Sequence, residues 1–483
     1  MRRHPWQRRL ILWSGAASLI PVVISPCWGA QWVITPAVDA SGIYSDNIGR
    51  QPPGNETDDV VTRLAPRLSA RTRTARLEAE VDYRLEMVNY QENSDNNAVF
   101  HQLQADTTTE IAPESLFFDA RGTIGQASSE AGAVDSNLQF TGQRGDVGTL
   151  VLSPYWRQVY AGKVESELRY TAGLVEYEDP DTSDSTSQEL DFYARTADRS
   201  ARLQYVLSYT AQEVDYEIAD DFTTRLVEGR VIYAASPRLS VFASAGYENN
   251  DFVTLPGEPD PEGSLWSVGF GWSPFAGATV ESSYGERYFG STFNLRVARE
   301  TSRTAVSIEY DEELTTEAQR RRDEGVVTRI DPIGEDLEEV EFDEGGINPF
   351  TITNEPFIER SLALNIARLN ARTLTAASAF VTRRDFQSSS DEEAAIGIDA
   401  RWRWEFASTY TSLVTLSWQR IEQALARSED EGDRIWQATA GISKEIRPNV
   451  RVRLDYQHFE RNSDNAPNEY RENRIEAGIV ATF

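Results

Sequence analysis

Between residues 76 and 87 the chain reads RLEAEVDYRLEM, with a charged residue at every second position and an apolar one between. Leu77, Ala79, Val81, Tyr83, Leu85 and Met87 form one set; Arg76, Glu78, Glu80, Asp82, Arg84 and Glu86 form the other. A period of two places the sets on opposite faces of a β-strand. The run extends from about Ala75 to Tyr90, beyond the roughly 5 to 6 residues typical of soluble strands, and suits a tilted membrane-spanning strand with projecting ends. The pattern recurs along the chain. Leu64, Leu68 and Ala70 alternate with Arg63, Arg67 and Arg71, and Ile396, Ile398, Ala400, Trp402, Trp404 and Phe406 alternate with Asp399, Arg401, Arg403 and Glu405.

The connections alternate too. Short turns fall near residues 72–75, 112–115, 161–163, 198–200, 236–238, 274–278, 301–303, 370–372, 407–409 and 447–449. Long polar segments fill the other gaps, among them 44–59, 126–145, 248–263 and 311–356. Strands counted between these connections number about 22, an even number within the bacterial range. The expected fold is all-β: a single transmembrane antiparallel β-barrel with short periplasmic turns, long acidic external loops and both termini periplasmic. Closing so many strands leaves a lumen too wide for side chains to fill, so the charged face meets water and the apolar face meets lipid. Reversing the faces would cost about 2 to 4 kcal/mol for each midplane Arg or Lys. Arg63, Arg67, Arg71, Glu78, Glu80, Asp82, Arg84 and Glu86 are therefore the candidate lumen-facing residues.

Composition narrows the alternatives. Only 40% of the chain is hydrophobic, and no apolar run after residue 30 is long enough for a spanning helix. Residues 1–29 read as a secretory signal peptide, with four arginines, an apolar segment from Leu10 to Ile24 and small residues before Ala30; residues 30–483 are the barrel. The first barrel strand then starts almost at the cleavage site, with no room for an N-terminal plug domain. The sole cysteine, Cys27, lies in the signal, so the exported barrel has neither disulfide nor thiol chemistry. Against 77 acidic residues stand 47 basic ones, all but Lys163 and Lys444 being arginine; the formal charge of −30 makes nucleic acid an implausible partner.

Aromatic residues support a membrane setting. Trp156, Tyr160, Trp272, Trp402, Trp404 and Phe406 lie near short turns, and Trp266, Trp418 and Trp436 nearer long loops, as two interfacial girdles require. The last strand, RIEAGIVATF, places Ile475, Ala477, Ile479, Ala481 and Phe483 on one face. Its terminal Phe483 is the candidate signal for the barrel assembly machinery.

Two segments, WVITPAVDASGIYSDNI (Trp32 to Ile48) and HQLQADTTTEIAPESLFFDARGTIGQ (His101 to Gln126), resemble the outer-membrane β-barrel family associated with the PEP-CTERM protein-sorting and exopolysaccharide system. Asp82-Tyr83 falls between them, and SVFASAGYEN (Ser240 to Asn249) adds to the likeness, which is concentrated in the first third of the chain. The resemblance implies a protein of the cell outer membrane of exopolysaccharide-producing Gram-negative bacteria. It transfers no functional residue.

Catalytic chemistry is sparse. After the signal only His101 and His458 remain, and solvent-exposed or satisfied histidines are the ordinary reading. No enzyme activity, cofactor or metal site is expected. The acidic run Asp331–Gly346 carries eight acids and no base but lacks EF-hand spacing, so a solvated, self-repelling loop is favoured over specific divalent-ion binding. The expected function is a porin-like channel or export-associated component linked to exopolysaccharide. The alternatives are a structural or adhesive surface barrel with a closed lumen, and a rim hydrolase. Expected partners are outer-membrane lipid and lipopolysaccharide, the barrel assembly machinery, and exopolysaccharide or its export apparatus. Residues 317–355 could fold inward as a plug or stay outside as a disordered loop; if inward, their removal should raise conductance and lower cation preference.

Overall fold

The computed structural model describes residues 31–483 except 130, 134–136, 139–143, 180–181, 256–259, 325–346 and 425–430. The signal segment with Cys27 and the acidic run 331–346 thus lie outside the described residues. The first half of the chain forms β1 (Trp32–Ser45), β2 (Asp59–Arg73), β3 (Leu77–Tyr90), β4 (Ala98–Ala112), β5 (Leu116–Ser128), β6 (Arg144–Tyr160), β7 (Val164–Tyr177), β8 (Ser185–Thr196), β9 (Leu203–Tyr216), β10 (Phe222–Ser236) and β11 (Leu239–Asp251). Then come β12 (Glu262–Trp272), β13 (Ala278–Arg287), β14 (Gly290–Glu300), β15 (Thr304–Thr315), the helix α1 (Glu317–Glu324) and β16 (Phe357–Asn370). The chain ends with β17 (Thr373–Phe386), β18 (Glu392–Ala407), β19 (Tyr410–Ala424), β20 (Glu431–Arg447), β21 (Val450–Ser463) and β22 (Tyr470–Thr482).

Each strand pairs antiparallel with its neighbours in sequence, and β1 pairs with β22 from Ala37↔Thr482 to Ser45↔Arg474, so the 22-stranded sheet closes on itself. Closure removes the edges that an open sheet would leave. The turns follow from local chemistry. Between β6 and β7, Ala161 and Gly162 both have positive φ (50° and 67°), and the Lys163 N–H donates to the Tyr160 carbonyl at 2.9 Å, as in the tight hairpins that match strand twist. Gly277 (φ 73°) precedes β13 where a Cβ would stand 2.2 Å from the Glu300 carbonyl oxygen.

The apolar outer face read from the sequence continues around the circumference. Leu64, Leu68, Leu152, Leu207, Val268, Leu364, Ile398 and Leu416 are exposed on the outer face. An apolar outer wall of this kind belongs in a bilayer. Trp156 meets Tyr160 edge to face at 6.2 Å, and Trp402, Trp404 and Phe406 form a chain of tilted rings near the short turns. At the other end Trp266 meets Tyr284, and Trp418 meets Trp436. Above Leu362 and Val381 the outward side chains become Arg360, Arg383 and Asp385, with Arg383 2.6 Å from Glu392; this marks the upper edge of the apolar band.

A cysteine at Ser94, exposed in the β3–β4 connection, should react with impermeant thiol reagents on intact cells, whereas one at Ser236, at a short turn, should not. Strong surface labelling at Ser236 would invert the topology. Ser183, which looks equally available in the sequence, is 1% exposed because its hydroxyl accepts from the Ile218 N–H, so it is no labelling site.

The C-terminal Phe483 donates its N–H to the Pro36 carbonyl at 2.8 Å, yet its side chain is 74% exposed. Deleting it removes little packing. If its role is recognition during insertion, the deletion should lower the amount of barrel in outer-membrane fractions while detergent-refolded protein keeps its heat-modifiable mobility. Equal amounts in the membrane would refute that role.

Candidate functional site in the barrel lumen

The structure places all eight candidate residues on one face of β2 and β3. Arg67 pairs with Asp82 at 2.9 Å and Arg71 with Glu80 at 2.8 Å; Glu78 meets Arg73 at 3.6 Å. Arg63 reaches across β1 to Glu476 on β22 at 2.5 Å and lies 3.6 Å from Glu86, which is 4.0 Å from Arg84. Down this ladder the carboxylates dry out in one direction. Side-chain exposure is 62% at Glu78 and 48% at Glu80, but 4% at Asp82 and 0% at Glu86. Beside β2 and β3 the turn-side part of the lumen is open to water, and the loop-side part is filled.

The described parts of two connections fill it: residues 131–133 and 137–138 between β5 and β6, and 316–324 and 347–356 between β15 and β16. Leu138 is buried against Ile43, Val61, Val88 and Tyr90. Ala131, Ile347 and Phe350 pack with Ala395, Ile421, Ile435, Phe459 and Tyr470. Ile352 meets Ala127, Val147, Val175 and Tyr177, while Ala318 of α1 meets Val214 and Phe222. Segments of one chain that touch β1–β3, β5–β7, β9–β10 and β18–β22 on the same strand face can only lie inside. The two loops also bond to each other: the Gly132 N–H donates to the Asn348 carbonyl at 2.7 Å, and the Asn348 N–H to that of Ala133 at 2.9 Å.

The helix α1 is built by its own sequence. Thr316 and Gln319 form a reciprocal cap, with the Thr316 N–H donating to Gln319 Oε1 at 2.7 Å and the Gln319 N–H to Thr316 Oγ1 at 3.2 Å. Its arginines hold the wall. Arg322 meets Glu189 at 2.6 Å and Arg320 meets Glu359 at 3.2 Å. At Gly173 a Cβ would crowd the Arg322 side chain at 3.0 Å, so the wall is hollowed there. Burial works against the charge on Arg322, but the Asp323 and Glu189 carboxylates outweigh it and raise its pKa above the ordinary value. Arg384, 1% exposed, joins the two parts of the loop: it lies 2.9 Å from Glu359, 3.6 Å from Glu317 and 4.0 Å from the Phe350 ring centre.

The apolar patches on the inner wall are what strict alternation hides. Their signal is an adjacent apolar pair near the loop end of a strand, as at Ile43-Tyr44, Val60-Val61, Met87-Val88 and Ile435-Trp436. One member faces lipid and the other faces a docked loop.

Both histidines point away from the lumen. His101 shares the outward face of Tyr83, whose hydroxyl is 2.8 Å from its Nδ1, and His458 Nδ1 is 2.9 Å from Asn473 Oδ1. Four strands separate them around the closure, about 24 Å at roughly 4.8 Å per strand. Among the described residues no three His, Cys, Asp or Glu side chains gather as a metal site would need.

Comparison with known proteins bears on the fold. A family model described as "Putative beta-barrel porin 2" matches residues 29–212, from before β1 into β9. The FrpB iron transporter from Neisseria meningitidis is 10% identical, with 93% of this chain and 81% of that chain covered at a TM-score of 0.51. The fold is that of an outer-membrane β-barrel. The siderophore receptor PirA from Acinetobacter baumannii (7% identity, 93% and 80% covered, TM-score 0.49) and a loop-deletion form of OmpT from Vibrio cholerae (9%, 94% and 99%, 0.33) are more distant in shape. No curated protein matches the chain in sequence.

Proposed function

We propose that this barrel is an outer-membrane channel for hydrophilic solute whose loop-side half is held shut by its own residues 131–133, 137–138, 316–324 and 347–356, and that it serves exopolysaccharide traffic. The exposure gradient along the β2–β3 ladder, from open water at Glu78 to full burial at Glu86, supports it. A barrel meant only as a surface scaffold has no need of a hydrated, ion-paired inner wall on one side and a seated plug on the other. The plug is displaceable. Burying Leu138, Ile347, Phe350 or Ile352 contributes about 1.5–3 kcal/mol each, while ordering the loop backbone costs about 1–2 kcal/mol per residue.

The exopolysaccharide link rests on the resemblance of Trp32–Ile48 and His101–Gln126 to the PEP-CTERM-associated barrels. Lipopolysaccharide fits the outward Arg360 and Arg383 at the upper edge of the apolar band, and the assembly machinery fits the exposed Phe483. No hydrolase is proposed, since neither histidine faces a space that a nucleophile shares.

Purified barrel in planar bilayers tests this reading. Brief, small-amplitude openings are expected, lengthening when loop contacts are weakened. A silent membrane containing correctly folded barrel, silent also after loop removal, would favour the closed scaffold instead.

A further inference from the structure

Two seams of the barrel do not close to the top by backbone pairing. The β14–β15 ladder runs from Glu300↔Ala305 to Leu295↔Tyr310 and stops there. Above that point β15 continues with β16 as far as Thr315↔Phe357, and β14 continues with β13 as far as Arg287↔Gly290. Residues 290–294 and 311–315 therefore diverge. The β4–β5 ladder also ends early, at Leu103↔Ile124, but there the Gln126 side chain spans the gap to the His101 carbonyl at 3.1 Å.

The wall is low at the same place. β13 and β14 are joined by Tyr288 and Phe289 alone, two rings in edge-to-face contact at 5.1 Å. Higher up, the connections on either side meet: Ser388 Oγ, after β17, donates to the Val253 carbonyl, after β11, at 2.7 Å. A sill, two jambs and an arch result. The opening sits at headgroup level, because the outward Glu312 on the diverging part of β15 accepts from Tyr310 Oη at 2.6 Å and lies 3.7 Å from Arg360. Water is available there to the strand edges, as hydrocarbon would not be.

The interior behind it differs from the rest of the lumen. Among the described residues, the loop contacts named above reach none of β12, β13 and β14, while Leu314 on the β15 side of the gap packs against the cluster that holds Ala318 of α1. The inner wall beneath the gap carries Ser267, Ser283, Asn294, Ser307 and Asn365, small hydroxyl and amide groups around a single charged rung, Arg296 with Glu309 and Glu281 opposite. The nearest guanidiniums are engaged, Arg287 by Glu248 at 2.6 Å and Arg296 by Glu309. Asp311 and Glu313 on the frame disfavour a polyanion.

We propose that the gap between β14 and β15 is a lateral portal through which an uncharged, hydroxyl-rich solute, a saccharide chain, reaches the lumen past the seated loops. The sill rings offer faces for the C–H surface of a sugar, and the serine and asparagine wall offers hydrogen bonds without fixed charge. This rests on the channel reading above for its function, but the portal itself is a property of the wall and can be tested separately.

The chain has no cysteine beyond Cys27, so thiols can be placed at will. Continuing the ladder brings residues 294 and 311 opposite each other on the inner face, so oxidising Asn294→Cys/Asp311→Cys should zip the seam. Two readouts are needed. The first is labelling of an added Ser307→Cys by an impermeant maleimide on intact cells, expected to slow by an order of magnitude when the seam is zipped. The second is block of single-channel current by a neutral glucan oligosaccharide added on the loop side, expected to vanish on oxidation and to be weak for a uronic-acid oligomer throughout. Asn294→Trp, which fills the gap without a cross-link, should act likewise if the pair fails to oxidise. A conducting barrel whose labelling and block ignore both changes overturns the portal and leaves the channel. A silent barrel whose Ser307→Cys labels rapidly, and slowly once zipped, overturns the channel and leaves the portal. Stronger block by the uronic-acid oligomer overturns the saccharide class proposed.

Discussion

Excising residues 317–355 is expected to raise single-channel conductance several-fold, because the excision removes α1, Ile347, Phe350 and Ile352 from the inner face of the wall. The strands that flank the excision, β15 and β16, already pair up to Thr315↔Phe357, so a short turn can join them. Cation preference should rise as well. Glu189 loses Arg322, and its bare carboxylate then faces the conducting path, while Glu359 keeps Arg384 at 2.9 Å. This reverses the sign expected from the sequence, where the acidic run dominates the loop's charge. That run lies outside the described residues, and the wall carboxylate beside the conducting path sets the sign here. Recordings of conductance and reversal potential on the inserted deletion variant check both statements. Unchanged conductance would mean that segment 129–143 alone blocks the lumen or that the barrel is closed by other means.

Replacing Arg384 by alanine should unseat the same loop without cutting it. Its guanidinium is the shared partner of Glu359 and Glu317 and lies over the Phe350 and Phe357 rings. Removing one partner of a buried ion pair leaves the other charge uncompensated, at a cost of about 3–5 kcal/mol. The barrel ladder does not depend on this contact, so the loss should fall on the loop. Protease sites in 317–355 should become accessible, openings should lengthen, and the heat-modifiable barrel should persist. Arg384→Lys keeps the charge but not the planar stacking on two rings, so it should restore part of the effect. Loss of the barrel itself would show that the network supports the wall and not the plug.

The strands were legible because lipid contact imposes one rule on every one of them. Leu77, Val81 and Leu85 must face hydrocarbon whatever lies inside, and their partners must then be polar, so period two survives from β1 to β22. Turn positions followed from the same contrast. The inward fold of the loops obeys no period. It depends on a few apolar residues, Leu138, Ile347, Phe350 and Ile352, scattered in polar sequence, meeting inner-wall residues such as Val61 and Ile435 that look like breaks in the alternation. The same limit explains Ser183, whose burial comes from a hydrogen bond with the next connection and not from its neighbours in sequence.

Closure of the sheet between β1 and β22 also orders events in time. Gly132 lies against Ile435 and Arg461, and Ala131 against Phe459 and Tyr470, so part of the first third of the chain rests on strands made from its last tenth. Those contacts span more than three hundred residues and cannot form until the final hairpins arrive. The stopper is therefore seated in stages: Leu138 can meet β1–β3 early, and Ala131 and Gly132 find their wall last.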